Sequence, residues 1–82
     1  MYRILFTKRA VKDLEKLNED VKLRIKEKFN LLLNDPTGIS KKLSSPSIGT
    51  YRLRVGDYRV IFDIDDDKVV ILRIGHRKDI YK

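Results

Sequence analysis

The stretch Tyr51-Arg52-Leu53-Arg54-Val55-Gly56-Asp57-Tyr58-Arg59-Val60-Ile61-Phe62 decides the fold. Tyr51, Leu53 and Val55 alternate with Arg52 and Arg54, and Tyr58, Val60 and Phe62 alternate with Arg59 and Ile61. A period of two belongs to strands that bury one face. Gly56-Asp57, glycine first, suits a two-residue hairpin turn. That turn sets Val55 opposite Tyr58, Arg54 opposite Arg59 and Arg52 opposite Ile61. The other face pairs Leu53 with Val60 and Tyr51 with Phe62, is apolar throughout, and needs a cover.

The residues upstream supply that cover. Tyr2 to Phe6 reads as a strand, and Thr7 as the N-cap of a helix whose inner face is Ala10, Leu14 and Leu17, with Val11 beside them. Asn18 or Asp20 caps a second helix with Val21, Ile25, Phe29, Leu32 and Leu33 inward, stopped by Asn34-Asp35-Pro36-Thr37-Gly38. Residues 39–50, with four serines, Pro46 and Gly49, read as a loop. Downstream, Asp65-Asp66-Asp67 is a turn, Lys68 to Ile74 a third strand ended by Gly75, and His76 to Lys82 a short basic tail. The expectation is an α+β fold forming one domain over residues 1–82: an N-terminal strand, a two-helix hairpin, then a three-strand antiparallel meander. The helices lie on one face of a small sheet, with a basic face opposite.

The third strand fixes how the cations gather. A three-residue loop at 65–67 pairs Ile64 with Lys68, Leu72 with Val60 and Arg73 with Arg59. A two-residue loop would push Arg73 onto the apolar face, which is costly. The expected result is a row of Arg54, Arg59 and Arg73, with Arg52 one step along. Like charges set opposite one another destabilise a sheet, and a bridging anion relieves them. The planar fork of arginine fits phosphate. A solvated face with its arginines splayed to water is the plainer alternative, and acidic groups of a protein partner would satisfy the row as RNA would.

Composition narrows the rest. The chain has 82 residues, with 19 Lys+Arg against 12 Asp+Glu, a net charge of +7 and no cysteine. This field attracts polyanions. A disulfide framework and a thiolate zinc site are excluded, no apolar run approaches the ~20 residues of a membrane span, and the N-terminus is too soon interrupted by charge for a signal peptide. A reducing, cytoplasmic setting is expected, with no membrane partner. The sequence carries no phosphate loop, metal-ligand spacing or hydrolase elbow, so neither metal nor small-molecule cofactor is expected. Asp65, Asp66 and Asp67 read as a solvated turn. Tyr2, Tyr51, Tyr58, Phe6, Phe29 and Phe62 fall on apolar faces and read as core, not as base-stacking platforms. In the tail, one helical turn would bring Arg77 and Tyr81 to one side. A tyrosine among cations is usable in proton transfer, although an aromatic near a chain end needs no such role. His76, the one histidine, has no nucleophile partner in the sequence pattern.

The hairpin stretch Tyr51 to Phe62 resembles the central signature of the RelE/ParE toxin superfamily. Gly75-His76-Arg77-Lys78-Asp79-Ile80-Tyr81 resembles its C-terminal motif, and the early segment around Ala10-Val11-Lys12-Asp13-Leu14 and the Pro36 to Lys42-Leu43 stretch are similar too. The resemblance implies a toxin paired with a cognate antitoxin that cuts mRNA in the ribosomal A site by metal-free attack of the ribose 2′-hydroxyl on the neighbouring phosphate. It implies that Arg59 stabilises the transition state, Arg77 holds the phosphate or leaving group, and Tyr81 moves a proton and stacks on the mRNA. Arg73, Lys78 and His76 are expected to bind RNA phosphate. Arg52 and Arg54 stand where ribosome-dependent members have lysines. Arginine does not readily give up its proton, so these two would act electrostatically. The superfamily also holds ParE-like gyrase inhibitors and members that only bind antitoxin; these are the alternatives.

Overall fold

The computed structural model describes residues 2–43 and 49–80. In chain order the elements are β1 (Arg3–Phe6), α1 (Lys8–Glu15), α2 (Glu19–Asn34), β2 (Lys41–Lys42), β3 (Tyr51–Val55), β4 (Tyr58–Asp65) and β5 (Lys68–His76). They form a five-stranded sheet in the order β1-β5-β4-β3-β2. Both helices begin where side-chain oxygens can take up their first N–H groups. Thr7 Oγ1 accepts from the Ala10 amide at 3.1 Å, and Asn18 Oδ1, in preference to Asp20, accepts from the Val21 amide at 3.0 Å.

The meander β3-β4-β5 is antiparallel, as expected, but β1 runs parallel to β5, from Arg3 opposite Lys68 to Phe6 opposite Ile71. The sequence pattern names no partner for this N-terminal strand. Being parallel to β5, β1 also runs in the direction of β3, and parallel strands need a long crossover, which the helical hairpin provides. The hairpin lands on one face of the sheet. Ala10, Val21, Ile25, Phe29 and Leu32 pack there against Leu53, Val55, Val60, Phe62, Val69, Ile71 and Ile74.

Three local readings change. Phe6 is 40% exposed, because β1 is an edge strand with nothing outside it, and the ring meets Phe29 edge-on with centroids 5.8 Å apart. Residues 39–50 are not wholly loop, since Lys41 pairs with Arg52 and Lys42 with Tyr51; residues 44–48 lie outside those described. Finally, β5 continues through Gly75 to His76. A side chain at Gly75 would bring its Cβ to 3.2 Å from Ile80 Cδ1, so the missing Cβ lets the following turn fold back onto the strand.

Candidate nucleic-acid interface

The register of β5 differs from the expected one in two compensating ways. Asp65 pairs with Lys68, so the loop is the two-residue turn Asp66-Asp67, and Ile64 faces Val69 instead of Lys68. Asp66 takes a left-handed φ of 58°, a conformation that aspartate tolerates better than most residues. A β-bulge then shifts the pairing: Phe62 faces Ile71, Ile61 faces Arg73, and Leu72 is the extra residue. Beyond the bulge Val60 faces Ile74, not Leu72, and Arg59 faces Gly75, not Arg73. The short loop alone would have turned Arg73 to the apolar face. The bulge returns it to the other one.

The bulge is held from its open edge. Pairing with β1 ends at Ile71, and α1 takes over from there. The Thr7 amide donates to the Ile71 carbonyl at 3.0 Å, and Thr7 Oγ1 donates to the Leu72 carbonyl at 3.2 Å. Asp13 Oδ2 accepts from both the Ile74 amide and Arg73 Nε, each at 3.0 Å. Arg73 is thus spent on Asp13 and is not a member of an open arginine row. Asp13→Ala strips an acceptor from two donors at once. We expect a loss of about 2 kcal/mol, read as a lower midpoint in thermal denaturation, with Asp13→Asn losing less because it keeps one acceptor oxygen.

Beside the buried Ile61, part of the face away from the helices carries cations. Lys41 stands opposite Arg52, and Arg54 opposite Arg59, on three neighbouring strands. Ile39, Lys41, Arg52 and Arg54 line a recess of about 120 Å³. Among the described residues no carboxylate pairs with Lys41, Arg52 or Arg54. Arg59 is different. It is only 8% exposed, and its Nη1 donates to the carbonyls of Gly56 at 2.8 Å and Tyr58 at 2.9 Å, which fixes the guanidinium. Its neighbour across the ladder, Gly75, lies under Ile80, which is 1% exposed.

The tail residues divide. The amides of Asp79 and Ile80 donate to the His76 carbonyl at 2.9 and 3.0 Å, closing one turn. Arg77 is exposed at the β3-β4 turn; its amide donates to the Asp57 carbonyl at 2.8 Å and its Nε is 3.7 Å from Asp57 Oδ1. Lys78 is exposed. His76 is opposite Tyr58, its ring edge-on at 5.4 Å, and its Nδ1 accepts from the Lys78 amide at 3.1 Å. By register it shares the helix-covered face with Tyr58, away from Arg59. Tyr81 lies outside the described residues. Asp65, Asp66 and Asp67 are exposed, with Asp67 carboxylate oxygens 3.7 Å from Arg3 and 3.6 Å from Lys68. Sequence reasoning missed Lys41, because a two-residue strand shows no alternation to read.

A second feature lies on the helical side. Phe6, Leu14, Ile25 and Phe29 form an apolar groove of about 250 Å³, bordered by Lys22 and Lys26.

Known proteins are similar in sequence and in fold. The family model described as the ParE toxin of type II toxin–antitoxin systems, parDE, matches residues 4–81. Toxin RelG of Mycobacterium tuberculosis is 39% identical over 84 residues, covering 99% of this chain and 97% of its own. The mRNA interferase toxin RelE of Escherichia coli is 31% identical over 80 residues, covering 94% of this chain and 84% of its own. The crystal structure of the toxin–antitoxin complex RelBE2 from Mycobacterium tuberculosis superposes with a TM-score of 0.83 at 38% identity, covering 93% of this chain and 98% of the matched one. The chain belongs to the RelE/ParE superfamily of type II toxin–antitoxin toxins, and its named relatives put it with the RelE-like members.

Proposed function

We propose that this toxin cuts mRNA on the ribosome and is neutralised by a cognate antitoxin, residues 1–82 working as one domain. The observation that carries the reading is the pair of like-charge cross-strand contacts, Lys41 with Arg52 and Arg54 with Arg59, side by side on one sheet face. Lys41, Arg52 and Arg54 have no carboxylate partner among the described residues, and an RNA backbone neutralises them. The similarity to the mRNA interferase toxin RelE of Escherichia coli supports the same reading.

In the reaction, the ribose 2′-oxygen bonds to the adjacent phosphorus as the 5′-oxygen leaves. The products are a 2′,3′-cyclic phosphate and a 5′-hydroxyl. Arg59, pinned by two backbone carbonyls, stabilises the charge that builds on the phosphoryl oxygens. Arg77, exposed beside the same hairpin turn, holds the phosphate or the leaving oxygen. Tyr81 moves a proton. Arg59 is 8% exposed, and Gly75, its neighbour across the ladder, lies under Ile80. Ribosome, mRNA and toxin meet in the cytoplasm; among the described residues no helix is long and apolar enough to cross a membrane.

The test is the full chain added to ribosomes programmed with a defined mRNA. We expect cleavage within the A-site codon, leaving cyclic-phosphate ends. Intact mRNA together with inhibited gyrase supercoiling would replace this reading with the ParE-like one.

The antitoxin segment that fits the groove is an apolar helix face flanked by acids, because Lys22 and Lys26 border an otherwise apolar trough. Phe6→Asp sets a like charge against such a partner. We expect antitoxin affinity to fall at least tenfold by calorimetry, with cleavage by the free toxin retained.

A further inference from the structure

We propose that His76 is a positioning residue: its neutral imidazole holds the 77–80 turn that carries Arg77, and protonation of the ring releases that turn. This rests on the RNA-cutting reading and deepens it, placing a proton-sensitive support under one of the groups that handle the phosphate.

Every amide of the turn has an acceptor. Arg77 donates to the Asp57 carbonyl at 2.8 Å, and Asp79 and Ile80 donate to the His76 carbonyl at 2.9 and 3.0 Å. The Lys78 amide turns instead to a side chain, His76 Nδ1, at 3.1 Å. One residue therefore holds three of the four amides, and one of those three bonds depends on its charge state. A backbone N–H can only donate, so Nδ1 is the unprotonated nitrogen and the proton of the neutral ring sits on Nε2. Once protonated, Nδ1 is a donor facing a donor, and the Lys78 amide loses its acceptor.

The ring is placed to support the turn and not to meet the substrate. By register it lies on the helix-covered face, opposite Tyr58 and away from Arg59, half-buried and edge-on to the Tyr58 ring. At the other end of the turn Ile80 is 1% exposed and packs on Gly75. His76 and Ile80 thus fix the two ends, and Arg77 between them is set beside the β3-β4 turn.

The ionisable groups about this end of the sheet come from several elements. Arg77, Lys78 and Asp79 belong to the turn itself, and Tyr58 to β4. Asp57 is 3.7 Å from Arg77 Nε, and Asp13 of α1 is taken up by Arg73 and the Ile74 amide. Arg24 of α2 has its Nη1 3.3 Å from where a Cβ on Gly56 would stand. A charged ring would thus join Arg77 and Lys78 as a third consecutive cation. Histidine is the side chain that changes charge between about pH 5 and 8, so the support responds to ordinary changes in acidity.

The full chain tests this in two ways. By NMR, His76 should be the Nε2–H tautomer when neutral. The protection of the Lys78 amide, relative to its intrinsic exchange rate, should fall as the ring titrates. On programmed ribosomes kcat should drop about three- to tenfold through the same titration, the share of one hydrogen bond, with KM nearly constant. His76→Ala should show the low rate at every pH. His76→Asn should restore the high rate and abolish the acid limb, because its side-chain oxygen accepts from the amide two residues on and does not titrate. An Nδ1–H tautomer, an acid limb that persists in His76→Asn, or a constant kcat while Lys78 protection is lost would each overturn the proposal. If the parent never cuts mRNA while Lys78 protection still follows the ring, the support stands and the cleavage reading falls.

Discussion

Arg59→Ala should lose mRNA cleavage by about 100- to 1,000-fold, the usual cost of removing one fixed donor from a developing oxyanion. The guanidinium here is better fixed than a surface arginine. Two backbone carbonyls, of Gly56 and Tyr58, hold its Nη1, and the residue is 8% exposed. A donor held in place before the reaction costs no reorganisation during it. Arg59→Lys should rescue little, because an ammonium on a flexible stem cannot reproduce both the carbonyl contacts and the fork. The same contacts give the residue a structural share, so cleavage is to be read beside thermal denaturation and antitoxin affinity. The prediction requires kcat to collapse while the chain still folds and still binds antitoxin. If Arg59→Ala cuts within about threefold of the parent, the transition-state role belongs elsewhere on the cationic face.

The outer half of that face was legible from residue types alone. Gly56-Asp57 offered only one good two-residue turn, and a turn that tight leaves no freedom in the register, so Arg54 opposite Arg59 follows from the sequence and is found. The second hairpin shows the limit. The reasoning that Arg73 must stay off the apolar face was physically sound, and the structure obeys it. It does so by combining a short turn at Asp66 with an extra residue at Leu72, where a longer loop was expected. A bulge leaves no mark on hydrophobic alternation that a loop change would not also leave. The difference decides the candidate site, since it hands Arg73 to Asp13 and places Gly75, not a third arginine, beside Arg59. Two other misses share one cause. The pairing of β1 with β5 and of β2 with β3 are contacts between distant or very short segments, and local pattern carries no information about which strand a neighbour will be. The helix caps and inner faces, by contrast, were set by residues within one or two turns of each other and were readable.

Phe62→Ala should cost about 3–5 kcal/mol, the range for emptying a buried phenylalanine site. Phe62 is fully buried, lies on the central strand β4 under the helical hairpin, and stacks on its cross-strand partner Tyr51 with ring centroids 5.4 Å apart and planes 18° from parallel. The aromatic pair adds to the burial. A domain of this size holds a total stability of roughly 4–12 kcal/mol, so the variant spends a large part of it, and the midpoint should fall by well over 10 °C. Leu31→Ala, at a position 52% exposed on α2, is the matched control and should stay within about 0.5 kcal/mol. Antitoxin separates fold from chemistry in this pair of experiments. A partner that binds only the folded toxin adds stability in proportion to the logarithm of its concentration over Kd, so saturating antitoxin should restore the Phe62→Ala fold. It should do nothing for Arg59→Ala, whose defect lies in the reaction. A Phe62→Ala chain that melts with the parent would mean that the core is centred elsewhere. One that stays unfolded under saturating antitoxin would mean that the partner does not bind the native sheet and helices described above.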